Sequence, residues 1–283
     1  METELLFDLK KPEYSYMIGF MQADGHLQSA TRNRGRMSIE LSERDFFILE
    51  KFKEIIAVNS TLSTRTRDTN FKKKNISVSL TICSKQFRDT INYYGVPYGK
   101  KSNIIEPPKH DFSESDYWRG ILDADGSLGI TANGFPFLSL VTASENLAKS
   151  FCELIYKYTG LVNKVNRNSR DGVYNIMLTK EKCQKIISVL YYKDCLSLPR
   201  KYETSKKVLS WKRPDKSKRR NVDFLDWEND DISFLVENSI EDCLEKFKKS
   251  RSESGIKTKR FKEIKKRTKG VLQLSTLHPR INK

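Results

Sequence analysis

Polar and apolar positions along the first two thirds of the chain follow two periods. Residues 36–41, Arg-Met-Ser-Ile-Glu-Leu, alternate in the manner of a strand with one buried face, as do residues 61–67, 75–82, 162–167 and 173–179. Between them Phe46, Leu49, Phe52 and Ile56 recur every three or four residues and predict a helix over 43–57. Leu147, Phe151, Leu154 and Tyr158 predict another over 144–158, and further helices fall near 84–94 and 180–192. Ser42 with Asp45 resembles a capping box, whereas Ser144 is followed at the third position by Leu147. Two hairpins precede the helices. Residues 26–31 turn at Asn33-Arg34-Gly35 into 36–41, and residues 127–131 turn at Asn133-Gly134 into 135–142.

These elements come in two copies because the sequence contains an internal repeat. Residues 16–26 read YMIGFMQADGH and residues 117–127 read YWRGILDADGS. Tyr16, Gly19, Ala23, Asp24 and Gly25 recur as Tyr117, Gly120, Ala124, Asp125 and Gly126, at an offset of 101. Each copy predicts the order αββαββα. The fold class is therefore α+β, with two pseudo-symmetric half-domains over 1–106 and 107–211.

The repeated helix has the chemistry of a site. Gly19 and Ala23 lie four apart on one helical face, as do Gly120 and Ala124, and small residues so spaced let two helices approach closely. Gly25 and Gly126 stand where a helix C-terminus favours a left-handed residue. Asp24 and Asp125 then fall at the unfavourable end of the helix dipole, at a cost of about 0.3–1 kcal/mol each. Pairing the helices would also bring the two carboxylates together. With no histidine or thiolate partner, such a pair suits a hard, oxygen-seeking ion such as Mg²⁺. A calcium-binding EF-hand at Asp123-Ala124-Asp125-Gly126 is excluded, because its glycine falls fourth and Gly134 occupies the twelfth position.

Composition narrows the class of partner. The 283 residues carry 52 Lys+Arg and 36 Asp+Glu, a net charge of +16. Residues 200–283 hold 24 basic and 13 acidic residues, net +11, while residues 1–199 are nearly balanced at +5. An excess of this size points to a polyanion, most often nucleic acid. Hydrophobic residues at 37% and aromatics at 11% supply a core. Five cysteines without a CxxC pair indicate neither a disulfide framework nor a thiolate zinc site. No apolar run is long enough for a membrane span, and the first residues lack a signal-peptide layout, so an intracellular, non-secreted protein is expected. His26, His110 and His278 are scattered and fit no histidine-based nuclease class.

The doubled motif resembles that of the LAGLIDADG homing endonucleases in their single-chain form, over about residues 14–205. The resemblance implies that Asp24 and Asp125 bind catalytic divalent ions, Mg²⁺ or another such as Mn²⁺, and that Ala23 and Ala124 contribute backbone carbonyls. The motif's earlier acidic position is Asp123 in the second copy but Gln22 in the first. Gly19 and Gly120 would lie in the interface between half-domains, whose sheets would form a saddle over the major groove of double-stranded DNA. A basic residue near each centre is also implied. Lys100-Lys101 and Arg200-Lys201 occupy matching places, with Lys101 and Lys201 the candidates and the choice within each pair open. DNA contacts would come from Arg32, Arg34, Arg36, Arg65, Arg67, Lys72, Lys73, Lys164, Arg167 and Arg170, in or beside the predicted strands. The implied activity is a metal-dependent double-strand break at a long, specific site by a monomer acting as a pseudo-dimer.

Residues 212–222 read as a basic linker and 223–283 as a three-helix module and tail. Ser239 with Asp242 and Ser250 with Glu253 are placed to cap its second and third helices. The module resembles a helix-turn-helix or Myb-like DNA-binding unit, with Lys257, Lys259 and Arg260 on the helix that would face DNA or grip its phosphates. Two alternatives share the scaffold. One is a DNA-binding regulator with a degenerate motif region, disfavoured by retention of both late acids. The other is a maturase acting on intron RNA. An intein-embedded nuclease is not expected, since Met1 and the final His-Pro-Arg-Ile-Asn-Lys do not match splice junctions.

Overall fold

A computed structural model describes residues 5–68, 74–214, 227–248 and 250–275, with side chains to residue 265 in the last helix. The chain divides into two compact units, Met1–Arg213 and Pro214–Lys283.

The first unit is α+β and contains both repeats. Helix α1 (Pro12–Asp24) starts on a proline, whose fixed φ suits the first helical position. Its residues from Ser15 to Gln22 are all buried, as fits a helix apolar on every side. Strands β1 (His26–Leu27) and β2 (Met37–Ser42) follow, joined by a connection with a 3₁₀ turn at Arg32–Arg34. A second 3₁₀ turn (Glu43–Asp45) enters α2 (Phe46–Ile55), and β3 (Ser60–Arg67), β4 (Asn75–Ile82) and α3 (Lys85–Tyr93) complete the half. The sheet is antiparallel, in the order β1-β2-β4-β3. The second half runs α4 (Glu114–Ala124), β5 (Gly126–Ile130), β6 (Pro136–Thr142), α5 (Glu145–Thr159), β7 (Tyr174–Thr179), α6 (Lys180–Leu190) and α7 (Pro199–Ser210). Its antiparallel sheet is β5-β6-β7. One continuous apolar core spans both halves, with α1 packed on α4 at its centre, an arrangement consistent with a two-part saddle.

Several local expectations need correction. Residues 162–167 form no strand, so the second half lacks one of the four expected. Leu161 and Val165 do pack against the core, but the backbone meets the sheet only at a bridge from Arg167 to Tyr174. Alternation there reports side-chain burial without a hydrogen-bonded ladder. Ser42 makes no capping hydrogen bond, and Asp45 turns its carboxylate to Arg200 rather than back to the Ser42 N–H. Ser144, without an acid three residues on, does cap, accepting from Leu147 N at 3.2 Å. Gly25 is extended rather than left-handed (φ −76°, ψ 153°). Space explains it: a Cβ there would lie 2.1 Å from Met37 Cε, and one on Gly126 would lie 2.6 Å from Leu122 O. Helix α7 was absent from the sequence pattern.

In the second unit α8 (Asn229–Glu237), α9 (Ile240–Phe247) and α10 (Glu253–Ser275) enclose Leu235, Cys243, Phe247 and Ile256. Ser239 caps α9, accepting from Asp242 N at 3.1 Å. Ser250 caps nothing and donates to Phe247 O, while Ser252 accepts from Gly255 N at the start of α10. The shift follows from α10 starting at Glu253, which places Ser252 at the capping position.

Candidate metal and nucleic-acid site

Helices α1 and α4 meet backbone to backbone. A Cβ built on Gly19 would sit 2.2 Å from Tyr117 O, and one on Gly120 would sit 2.2 Å from Tyr16 O, so neither position has room for a side chain. Reciprocal polar links fix the register. Tyr16 donates across to Asp123 Oδ2 at 2.7 Å, and Tyr117 donates across to Gln22 Oε1 at 2.6 Å. The two earlier motif positions therefore have the same job in different chemistry. Gln22 also donates to Gly95 O and Glu106 O, whereas Asp123 accepts from Tyr191 and from Leu198 N. Asp123 is fully buried, which raises its pKa against the pull of Lys201 and its hydrogen-bond donors.

The later acids lie elsewhere. Asp24 ends α1 and Asp125 follows α4, and both are exposed. Loss of surrounding water is the main cause raising the Asp24 pKa to about 6, with the Asp125 charge next. Asp125 is raised by the same loss of water, while Lys101 and Lys201 act on both carboxylates in the opposite sense. The four groups therefore converge.

Each lysine closes the helix end beside its acid. Lys101 Nζ donates to Met21 O at 3.0 Å and to Gln22 O and Ala23 O at 2.5 Å each. Lys201, on the first turn of α7, donates to Leu122 O, Asp123 O and Gly126 O at 2.5, 2.6 and 2.8 Å. A cation here satisfies the orphan carbonyls and offsets the negative end of the dipole. Burial lowers both lysine pKa values to about 8, partly countered by the carboxylates. The neighbours differ: Lys100 is exposed, and Arg200 forms a two-pronged pair with Asp45 at 2.8 and 3.0 Å, linking the two halves.

Among the described residues no group of three His, Cys, Asp or Glu side chains is disposed to hold a metal. The donor set is two accessible carboxylates, with Ala23 O engaged by Lys101 and Ala124 ending α4. This fits Mg²⁺, which takes one or two carboxylates and completes its shell with water and substrate phosphate.

The remaining candidates are spread over the surface. Arg32, Arg34 and Arg36 are exposed on the β1–β2 connection. Arg65 and Arg67 lie on β3, Arg67 paired with Glu40 at 2.9 Å. Lys164, Arg167 and Arg170 are exposed in the segment before β7, Arg170 pairing with Asp171. Lys72 and Lys73 lie outside the described residues. In the second unit Lys257 pairs with Glu253 and Lys259 with Glu263, while Arg260 donates to Asn238 O, closing the end of α8.

Sequence reasoning missed the residues that pin the two hairpin connections. Arg88 of α3 is buried and donates to Gln28 O, Ala30 O and Arg32 O, and Asn33 Oδ1 accepts from Lys85 N. In the second half Trp211 donates from its indole to Gly134 O at 2.8 Å. Neither residue belongs to a repeated motif, and a lone Arg on a helix reads as a solvated charge.

No family model matches the sequence, and no curated protein matches it. Among solved structures the chain is similar to the homing endonuclease I-WcaI bound to its DNA recognition sequence (17% identity, TM-score 0.48, 72% of this chain and 88% of that one). It is similar also to the LAGLIDADG homing endonuclease I-GzeII in complex with its DNA target (15%, 0.45, 70% and 88%). A third is I-SmaMI bound to an uncleaved DNA target in the presence of calcium ions (13%, 0.43, 87% and 98%). At these identities and TM-scores chemistry and substrate rest on the chain's own residues.

Proposed function

We propose that the chain is a site-specific DNA endonuclease that makes a metal-dependent double-strand break at a long target. One observation carries this reading: two exposed carboxylates stand at the ends of two closely packed helices, each beside a lysine ammonium bonded to the carbonyls of that helix end. A protein that only bound DNA would gain nothing from two exposed carboxylates there, since without a bridging cation they repel phosphate.

Asp24 and Asp125 would hold Mg²⁺ or a similar ion, which when bound supplies Lewis-acid polarisation of the scissile phosphate and lowers the pKa of water. Hydrolysis joins water oxygen to phosphorus and breaks one phosphorus–oxygen ester bond in each strand. The chain's part is placement and charge. The glycine contact between α1 and α4 fixes the spacing of the acids, and the Tyr16–Asp123 and Tyr117–Gln22 links fix their register. Lys101 and Lys201 use all three donors on carbonyls, so each acts as a fixed positive charge beside developing negative charge. The exposed arginines and lysines would bind phosphates and guanine edges. Lys257, Lys259 and Arg260 already have partners within the second unit, so its additional grip would fall to exposed residues of α10 such as Lys262 and Lys265.

The test is incubation with DNA of the host locus lacking the intervening element, with Mg²⁺ or with chelator. A discrete double-strand break confined to the Mg²⁺ sample supports the reading; intact DNA that the protein nevertheless binds specifically contradicts it.

A further inference from the structure

The outer faces of the two sheets, those turned from the core, are chemically unlike. On the first sheet the register sets Ser63 opposite Ser79 and Arg65 opposite Ser77, with Arg67 tied to Glu40 at the same face. Every outward position there is polar, so the face offers hydroxyls and guanidinium groups. The second sheet sets three apolar side chains, Phe137, Val141 and Met177, among outward polar residues Ser127, Ser139, Asn175 and Thr179. Its register sets Met177 opposite Ser139 and Val141 opposite Asn175, so the two apolar side chains are diagonal neighbours on β6 and β7. Met177 is 51% exposed and Val141 44%. Next along β6, the Phe137 ring lies over Gly129, where a Cβ would come within 3.1 Å of it. No charged residue occupies an outward strand position of this sheet, while Arg167 bridges to Tyr174 at its edge and Lys164 and Arg170 are exposed in the same segment.

Exposed apolar side chains rimmed by cations match one ligand chemistry well. A duplex presents phosphates to the rim and, in its major groove, the 5-methyl group of thymine to apolar side chains. The polar first face suits guanine and other hydrogen-bonding edges, for which Arg65 has the donors.

Resting on the DNA-binding reading above, we infer that the two halves read DNA by different chemistry. The second sheet recognises thymine methyl groups through Val141 and Met177 on a floor set by Phe137. The first sheet recognises hydrogen-bonding edges through Arg65. The preferred target therefore carries thymines under the second half, at the positions that Val141 and Met177 face.

The test binds the full chain, without divalent ions, to a randomised duplex library and sequences the bound fraction. The expected consensus is asymmetric and thymine-rich in one half. The double variant Val141→Ser, Met177→Ser loses the thymine preference there and keeps the other half's consensus, whereas Arg65→Gln does the reverse. Both variants alter exposed side chains and leave the core intact. Replacing a single consensus thymine of that half by uracil, which removes only the methyl, weakens wild-type binding about three- to fivefold, roughly one buried methyl's worth. The same replacement leaves the double variant unchanged. A symmetric consensus, an unchanged consensus in the double variant, or indifference to uracil overturns the inference while DNA binding stands. Recovery of no specific duplex overturns both.

Discussion

The Tyr16 phenol on α1 donates a 2.7 Å hydrogen bond to Asp123 Oδ2 on α4, so the earlier acid of the second motif is an interhelix lock. Its carboxylate has two further donors, Tyr191 and Leu198 N, and no exposure to solvent. Two aspartates separated by one residue thus have opposite surroundings. Tyr16→Phe is expected to lower unfolding free energy by about 1.5–3 kcal/mol, the usual worth of a bond to a charged group. Urea titration measures it. Cleavage rate at saturating DNA should stay within about twofold, because Asp123 holds the frame and touches no reacting atom.

The lysine caps make a second prediction. Lys201→Met removes three donors from carbonyls at the end of α4 and should destabilise the first unit by about 1.5–3 kcal/mol. Lys101→Met should do the same at α1. Either change also removes a cation that holds the Asp24 pKa down, so the pH needed for half-maximal Mg²⁺ binding should move upward from about 6. Metal titration across pH reads the shift directly.

The sign of the pH dependence in wild type follows from the same groups. Asp24 has a folded-state pKa of about 6, raised from 3.8 by loss of water and by Asp125. Between about 4 and 6 the folded chain therefore binds more protons than the unfolded one, and metal-free stability falls as pH rises through this window. Asp24→Asn should raise the metal-free melting temperature at pH 8 and leave it nearly unchanged below pH 4. Thermal scans at the two pH values check both halves of the statement. Mg²⁺ should stabilise wild type at pH 8, where the carboxylate is charged, and lose that effect below pH 6.

Arg88 supplies a prediction remote from the acids. Its guanidinium ties three carbonyls of the connection that carries Arg32, Arg34 and Arg36. Arg88→Met should free this segment, so that trypsin cuts at 32–36 at least about tenfold faster than in wild type, as expected for a locally opened loop. DNA affinity should fall with it. Asn33→Ala, an exposed change that removes one tie, should shift both readouts in the same direction by less.

Much of this was legible in the sequence because the repeat restated it. The doubled Gly-x-x-x-Ala-Asp-Gly segment located α1, α4 and both late acids. The β5–β6 hairpin follows from alternation and the Asn133-Gly134 turn, whereas in the first half only His26–Leu27 of the expected strand 26–31 pairs with β2. What stayed hidden depends on contacts distant in sequence. Asp45 reads as a capping acid until Arg200, 155 residues away, takes its carboxylate. Residues 162–167 alternate like a strand because Asn163 and Val165 are half-buried between exposed neighbours, yet burial alone does not pair backbones. Lys101 and Lys201 stand out in the sequence only as basic residues at matching places; their bonds to carbonyls at the ends of α1 and α4 join segments 78–80 residues apart.

The central claim is that Asp24 and Asp125 jointly hold the ion that drives strand cleavage. Its most direct measurement is single-turnover cleavage of a specifically bound duplex in Mg²⁺ by wild type, Asp24→Asn and Asp125→Asn, with binding affinity measured alongside. Each variant is predicted to bind the duplex within a few fold of wild type and to cut at least about a thousandfold more slowly, the equivalent of several kcal/mol of lost charge stabilisation. Cleavage by either variant within tenfold of wild type at equal occupancy would contradict the account.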